Sequence, residues 1–142
     1  MITVLIMGLG LLGFAMLQTM SVRYTKSALD RTKASNLAYE LVDMMRSQRS
    51  QASYYNTVTY SSFTSLPTST GDCVYPTGTT ASTPTANITR WRCELRNAFP
   101  DGDAQVVLGA AGDVTVTVRW TDAYWDSNSS AQKTSFSIQS SL

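Results

Sequence analysis

The sequence predicts an α+β chain in which a long amino-terminal helix packs on a small antiparallel β-sheet, with a second, shorter helix between them in the chain. Three observations carry this expectation. No proline or glycine interrupts the chain from Gln18 to about Ala52, so nothing breaks a helix that starts near the amino terminus. Ile88, Trp91, Leu95 and Phe99 recur at helical spacing, and Val114, Val116, Val118 and Trp120 alternate with polar residues at the period of a half-buried strand.

The first element is one helix of some fifty residues, residues 1–52. Met1 to Val22 carries no charge, and within residues 1–17 only Thr3 has a polar side chain. Those first 17 residues span about 26 Å as a helix, at the short end of what a bilayer core requires. A cleaved secretory signal needs a basic stretch before the apolar run and small residues at a cleavage site after it, and neither is present. A plain single-pass anchor is a second reading, and Arg23 and Lys26 would then hold the carboxy-terminal part in the cytoplasm. The third reading is the apolar half of a longer helix that packs against similar helices outside the membrane, and the uninterrupted sequence after Leu17 favours it.

Residues 18–52 form the amphipathic half. Ala34, Leu37, Ala38, Leu41, Val42 and Met45 fall on one face, a stripe that must pack on a domain. Arg31, Lys33, Glu40, Asp43 and Arg46 lie off that stripe and read as a solvated face. Gly8, Gly10 and Gly13 sit in the apolar half, each costing about 1 kcal/mol of helix propensity relative to Ala. Glycine is tolerated in membrane helices in general, and it also permits close helix contacts; both readings stand.

Residues 53–142 form the globular head. In residues 53–89, 17 of 37 side chains are Ser or Thr and Asp72 is the only charge, which reads as a variable surface segment with a short strand at Thr57 to Tyr60 and turns at Leu66-Pro67 and Tyr75-Pro76-Thr77-Gly78. A helix over about Thr85 to Ala98 follows, with Thr83 as its cap, Pro84 as its first residue and Pro100 to Asp103 as its stop. Arg90, Arg92 and Arg96 on it read as solvated. Gln105 to Leu108, Val114 to Trp120 and Thr134 to Ile138 are strands of a sheet of three or four, with a turn at Gly109 to Gly112. Tyr124 and Trp125 lie in a polar loop and are expected to tuck under the sheet edge.

The run from Val4 to Gln18, with Gly10-Leu11-Leu12-Gly13 followed by Leu17-Gln18, resembles the amino-terminal helix of type IV minor pilins, of the PilV group in particular. Ala34-Ser35-Asn36-Leu37-Ala38-Tyr39-Glu40-Leu41-Val42-Asp43-Met44-Met45-Arg46 is similar to the stretch with which these pilins dock the helix on the head. The pattern near Trp91, Leu95 and Pro100, then Val114 to Trp120, looks like the PilV head. The resemblance implies a type IV pilin-like lollipop. It assigns Leu5, Leu9, Gly10, Leu12, Gly13 and Leu17 to assembly, and Leu37, Ala38, Leu41, Val42 and Met45 to packing of the helix on the head. The family's basic leader, its glycine before the peptidase cut and its glutamate near the mature terminus have no counterpart here. The expectation is a truncated or mis-started sequence, whose leader would outweigh Arg23 and Lys26 and hold the head outside.

Two cysteines, Cys73 and Cys93, enclose about twenty residues. In an exported head an even count predicts a disulfide, stabilising by about 3 kcal/mol in the chain-entropy model. Two thiols without histidine make a poor zinc site. The absence of histidine also removes Ser-His-Asp and Cys-His nucleophiles and histidine-held haem, and no glycine-rich phosphate loop or defensible carboxylate pair appears. Asp101-Gly102-Asp103 resembles a fragment of a calcium loop but reads as a turn, because the remaining ligands at the expected spacing are missing. No cofactor, metal or enzymatic activity is expected. A net charge of +1 argues against direct nucleic-acid binding; it averages +3 over residues 1–52 and −2 over the remainder.

The resemblance thus implies a minor pilin that enters or primes a type IV pilus and supports twitching motility, adhesion or DNA uptake. Its partners would be other minor and major pilins, the inner membrane before assembly, and a tip adhesin. It would sit as a single pass in a bacterial inner membrane with the head in the periplasm, and then in the pilus near the tip. The alternatives are a minor pseudopilin of a type II secretion system and a membrane-anchored extracytoplasmic binding domain with no filament role.

Overall fold

A computed structural model describes residues 2–64, 73–77, 83–122 and 132–142, the side chain of Leu5 excepted. Helix α1 spans Ile2–Ser47, α2 spans Pro84–Ala98, and strands β1, β2 and β3 span Asp103–Leu108, Asp113–Thr121 and Lys133–Ser141. The fold class is α+β, as the periodicities predict. The chain divides into two compact units, Met1–Thr32 and Lys33–Leu142, so α1 contributes to both.

The first unit is helical throughout its described length. Three of its hydroxyls bond within the helix: Thr19 Oγ1 donates to the Ala15 carbonyl at 3.0 Å, Thr25 to the Ser21 carbonyl at 2.9 Å and Thr32 to the Ala28 carbonyl at 3.0 Å. This back-bonding lets polar residues sit in a helix without a water partner.

In the second unit the stripe from Ala34 to Met45 is buried and joins one apolar cluster with α2 and the sheet. The helix ends at Ser47, five residues before the expected end. The Gln48 N–H is shared between the Met44 and Met45 carbonyls at 3.2 Å each, a tightening typical of helix ends, and the chain continues as 3-10 turns over Arg49–Thr57 and Tyr60–Phe63. The tighter coil turns Ala52, Tyr55 and, beyond it, Val58 and Phe63 into the core. The segment read from composition as a surface loop therefore supplies three of these core side chains, Tyr55, Val58 and Phe63. The strand expected at Thr57 to Tyr60 is absent; one backbone bond, from Val106 N–H to the Val58 carbonyl at 2.9 Å, takes the place of a ladder.

Pro84 opens α2, and Thr83 is extended at its cap with no side-chain capping bond. Ile88, Trp91, Leu95 and Phe99 are buried. The Trp91 indole N–H donates to the Leu37 carbonyl at 2.9 Å, tying α2 to α1. Where α2 ends, a Cβ on Gly102 would lie 2.7 Å from the Phe99 Cβ and 2.8 Å from the Leu95 Cδ2, so glycine is required by close approach.

The sheet is a three-stranded antiparallel meander in the order β1-β2-β3. Register runs from Asp103↔Arg119 to Leu108↔Val114 and from Asp113↔Ser141 to Thr121↔Lys133. The turn between β1 and β2 closes through Gly109 N–H to the Asp113 carbonyl, with Gly112 at φ 82°, a conformation L side chains rarely adopt. Val114, Val116, Val118 and Trp120 are buried, and Phe136 and Ile138 of β3 pack beside them half-buried. Trp120 stacks on Phe99 with ring centroids 5.4 Å apart. Leu66-Pro67, Gly78, Tyr124 and Trp125 lie outside the described residues.

Two consequences are measurable by denaturant unfolding of the detergent-solubilised chain, followed through tryptophan fluorescence. Trp91→Phe keeps most of the apolar volume but loses the bond to Leu37, and is expected to cost about 1–3 kcal/mol. Tyr55 is fully buried, its hydroxyl donates to Gln48 Oε1 at 2.8 Å, and burial raises its pKa above the ordinary 10.0. The folded state thus holds this proton more tightly than the unfolded state. Its contribution is complete below pH 10 and is lost as pH rises through the folded value. Tyr55→Phe is expected to flatten the alkaline loss of stability while costing about 1 kcal/mol at neutral pH.

Candidate functional site

Two features of the chain are out of the ordinary: an apolar helical surface in the first unit, and an arginine-centred junction in the second. In the first unit, Ile2 is 75% exposed, Leu9 64%, Leu12 69%, Leu17 68% and Val22 69%. An 18-residue window here has a mean hydropathy of 1.9, and none of it is buried; α1 is long and apolar enough to cross a membrane. Gly10 and Gly13 face open space, as does Gly8, with nothing within 4 Å of a Cβ built on each. Among the described residues no packing calls for glycine at these positions. Leu5 lies outside the described side chains. An apolar surface of this extent marks a lipid or protein contact.

In the second unit, Leu37, Ala38, Leu41, Val42 and Met45 are all buried. Beside them the arginines of α2 depart from the solvated reading. The Arg90 side chain is only 8% exposed and forms ion pairs with Glu40 of α1 and, at 2.7 Å, with Glu94 one turn along α2. Its guanidinium also lies 4.4 Å from the Tyr75 ring centroid and reaches the Met44 sulfur at 3.6 Å. Burial by itself disfavours the charge, but the hydrogen bond to Glu40 and the fields of Glu40, Glu94 and Tyr75 outweigh it and hold the Arg90 pKa above its ordinary value. Glu40, expected on the solvated face, is instead a partner of this buried cation.

Cys73 and Cys93 are joined by a disulfide with a Cα separation of 5.6 Å. The bond ties the segment carrying Tyr75 to α2 within one turn of Arg90. Arg90 thereby connects three pieces of chain: α1, α2 and the disulfide-held segment. A groove of about 320 Å³ opens alongside, lined by Lys33, Asn36, Leu37, Glu40, Glu94 and Ala98. Both of its carboxylates already serve Arg90, which suits them to structure rather than proton transfer.

Arg92 and Arg96 are also half-buried. Arg92 lies 5.4 Å from the Phe63 ring centroid, and burial lowers its pKa; Arg96 donates to the Phe63 and Pro100 carbonyls. Together they hold the turn carrying Phe63 against α2. Asp103, the second carboxylate of the calcium-like fragment, is engaged by Arg119 at 2.7 and 2.9 Å and by Lys133 at 3.1 Å. The hydrogen bond to Asp103 comes first among the causes that raise the Arg119 pKa, above the opposing effect of burial. The pair follows from strand register, since Asp103 and Arg119 are directly opposite. Among the described residues no group of three or more potential metal ligands converges.

Glu94 was within reach of sequence reasoning as the i+4 partner of Arg90. Glu40 was not, because fifty residues separate it from Arg90. Compared with family models, curated proteins and solved structures, the chain matches none.

The junction is asymmetric toward mutation. Glu40 and Glu94 are 33% and 42% exposed, so without Arg90 both carboxylates still reach water. Without both carboxylates, Arg90 stays buried with no anion. Glu40→Gln with Glu94→Gln is therefore expected to destabilise by about 3 kcal/mol or more and Arg90→Met by clearly less, as read from urea midpoints of the three proteins.

Proposed function

We propose that the chain is a minor pilin, similar to the PilV group, that enters or primes a type IV pilus through the apolar helical surface of residues 2–22. The observation that carries this reading is the change of exposure along one unbroken helix. Every described apolar side chain before Arg23 is exposed, whereas from Ala34 the stripe is buried in the chain's own domain. A helix of this kind is stable in water only when lipid or other helices cover its first part.

The mechanism is association rather than catalysis. The inner membrane holds the helix in a single pass, and extraction into a bundle of pilin helices keeps the same surface dry. Gly8, Gly10 and Gly13 leave room for close approach of a neighbouring helix. The head lies in the periplasm before assembly and near the pilus tip after it, and the Cys73–Cys93 disulfide fits an oxidising compartment. Twitching motility, adhesion and DNA uptake are the processes such a pilin supports; other minor and major pilins, and an adhesin at the tip, are its partners.

A charge in the covered surface opposes both lipid and helix burial, at about 3 kcal/mol or more for Asp at the centre of a span. Leu12→Asp is expected to remove the chain from sheared pili and to reduce pilus number, while Leu12→Ala leaves it incorporated. Quantitative mass spectrometry of the pilus fraction reads both. Pili of normal number and composition carrying the Asp variant would overturn the proposal.

A further inference from the structure

The apolar run ends abruptly in a basic collar. From Ile2 to Val22 there is no charge, and the next nine residues contain Arg23, Lys26 and Arg31 against one carboxylate, Asp30. All three cations are exposed, as is Tyr24 at 76%. From Ile2 to Val22 the helix rises about 30 Å, enough to cross a bilayer hydrocarbon core. With the uncharged run inside the core, its first charged neighbour, Arg23, sits at the boundary and Lys26 about 4.5 Å beyond. Both fall within the headgroup layer, which is about 5–7 Å deep on each side. Arg31 stands about 12 Å beyond Arg23 and clears it. Tyr24 lies at the level where aromatic rings anchor membrane helices.

From this placement we propose that Arg23 and Lys26 form a binding collar for the phosphate headgroups of anionic phospholipids, which fixes the depth of the helix and selects its lipid surroundings. The inference rests on the membrane-stored state described above and adds its lipid partner. Long basic side chains at the end of a span reach to headgroup phosphates while their stems cover apolar surface. A cation near an anionic surface contributes about a five-fold preference. Two cations set an upper bound near thirty-fold for anionic over neutral lipid, falling as salt rises. Leaving the membrane for a filament gives up these contacts, so anionic lipid is expected to favour storage over extraction.

The test uses the full chain in nanodiscs containing a minority of phosphatidylglycerol in phosphatidylcholine, with co-released lipids counted by native mass spectrometry. The wild-type chain is expected to retain phosphatidylglycerol several-fold above its bulk share. R23Q/K26Q is expected to return to the bulk ratio, and R31Q to behave as wild type. A bulk ratio for the wild-type chain, enrichment surviving in R23Q/K26Q, or equal loss in R31Q would each overturn the collar. Inorganic phosphate is expected to act no more strongly than chloride at matched ionic strength; specific competition would point to a free-anion site and overturn the lipid assignment. Flotation with pure phosphatidylcholine vesicles separates the two readings. Failure of the wild-type chain to float sinks membrane storage itself, while flotation of wild type and R23Q/K26Q alike leaves the lipid counts to decide the collar.

Discussion

A three-stranded sheet with one apolar face leaves that face in water unless another element covers it. Burial of the α1 stripe from Ala34 to Met45 in the same cluster as Val114, Val116, Val118 and Trp120 is the constraint on which the second unit depends. Each other fixture serves it. The Trp91 indole bonds to the Leu37 carbonyl, Arg90 joins Glu40 to Glu94, and Arg46 reaches the Ser140 hydroxyl of β3 at 2.7 Å. Residues 34–46 of the helix are thereby held at several points along one face.

Exposure changes along the same helix. Its later turns carry a stripe about as wide as a domain contact needs, whereas residues 1–17 carry only Thr3 as a polar side chain, and Thr19 pairs its hydroxyl with the carbonyl one turn back. The exposed apolar part and the buried stripe differ in residue pattern, and the change begins after Val22. Arg23, Tyr24 and Lys26 mark the change with the side chains best suited to a water–lipid boundary.

The arginines of α2 illustrate how composition misleads. Three cations on a short helix suggest a wet face, yet the head is poor in large apolar residues between Phe63 and Ile88, and the guanidinium groups fill that place. Arg90 and Arg92 lay their planes near aromatic rings, and Arg96 ties off the turn that carries Phe63. Arginine suits this use because it stays charged and offers several donors in a fixed plane. The disulfide complements it, holding a segment with too few apolar side chains to dock by burial alone.

Much of the fold was legible from period alone. The long helix, the stripe from Ala34 to Met45, the second helix with Ile88, Trp91, Leu95 and Phe99, and the alternation of Val114 to Trp120 are local patterns, and spacing along the chain determines which side chains share a face. The exposed apolar run was legible for the same reason, since no partner elsewhere in the chain enters its description. What only the tertiary structure decided depends on distant encounters. Tyr55, Val58 and Phe63 are core because the chain after Ser47 tightens into 3-10 turns against β1 and α2. Glu40 is half-buried because Arg90, fifty residues later, arrives beside it. Asp103 is closed to a metal because register sets Arg119 opposite and Lys133 within reach. Periodicity reports a residue's neighbours on its own element, whereas burial and charge pairing depend on which elements meet, and that is a property of the folded chain.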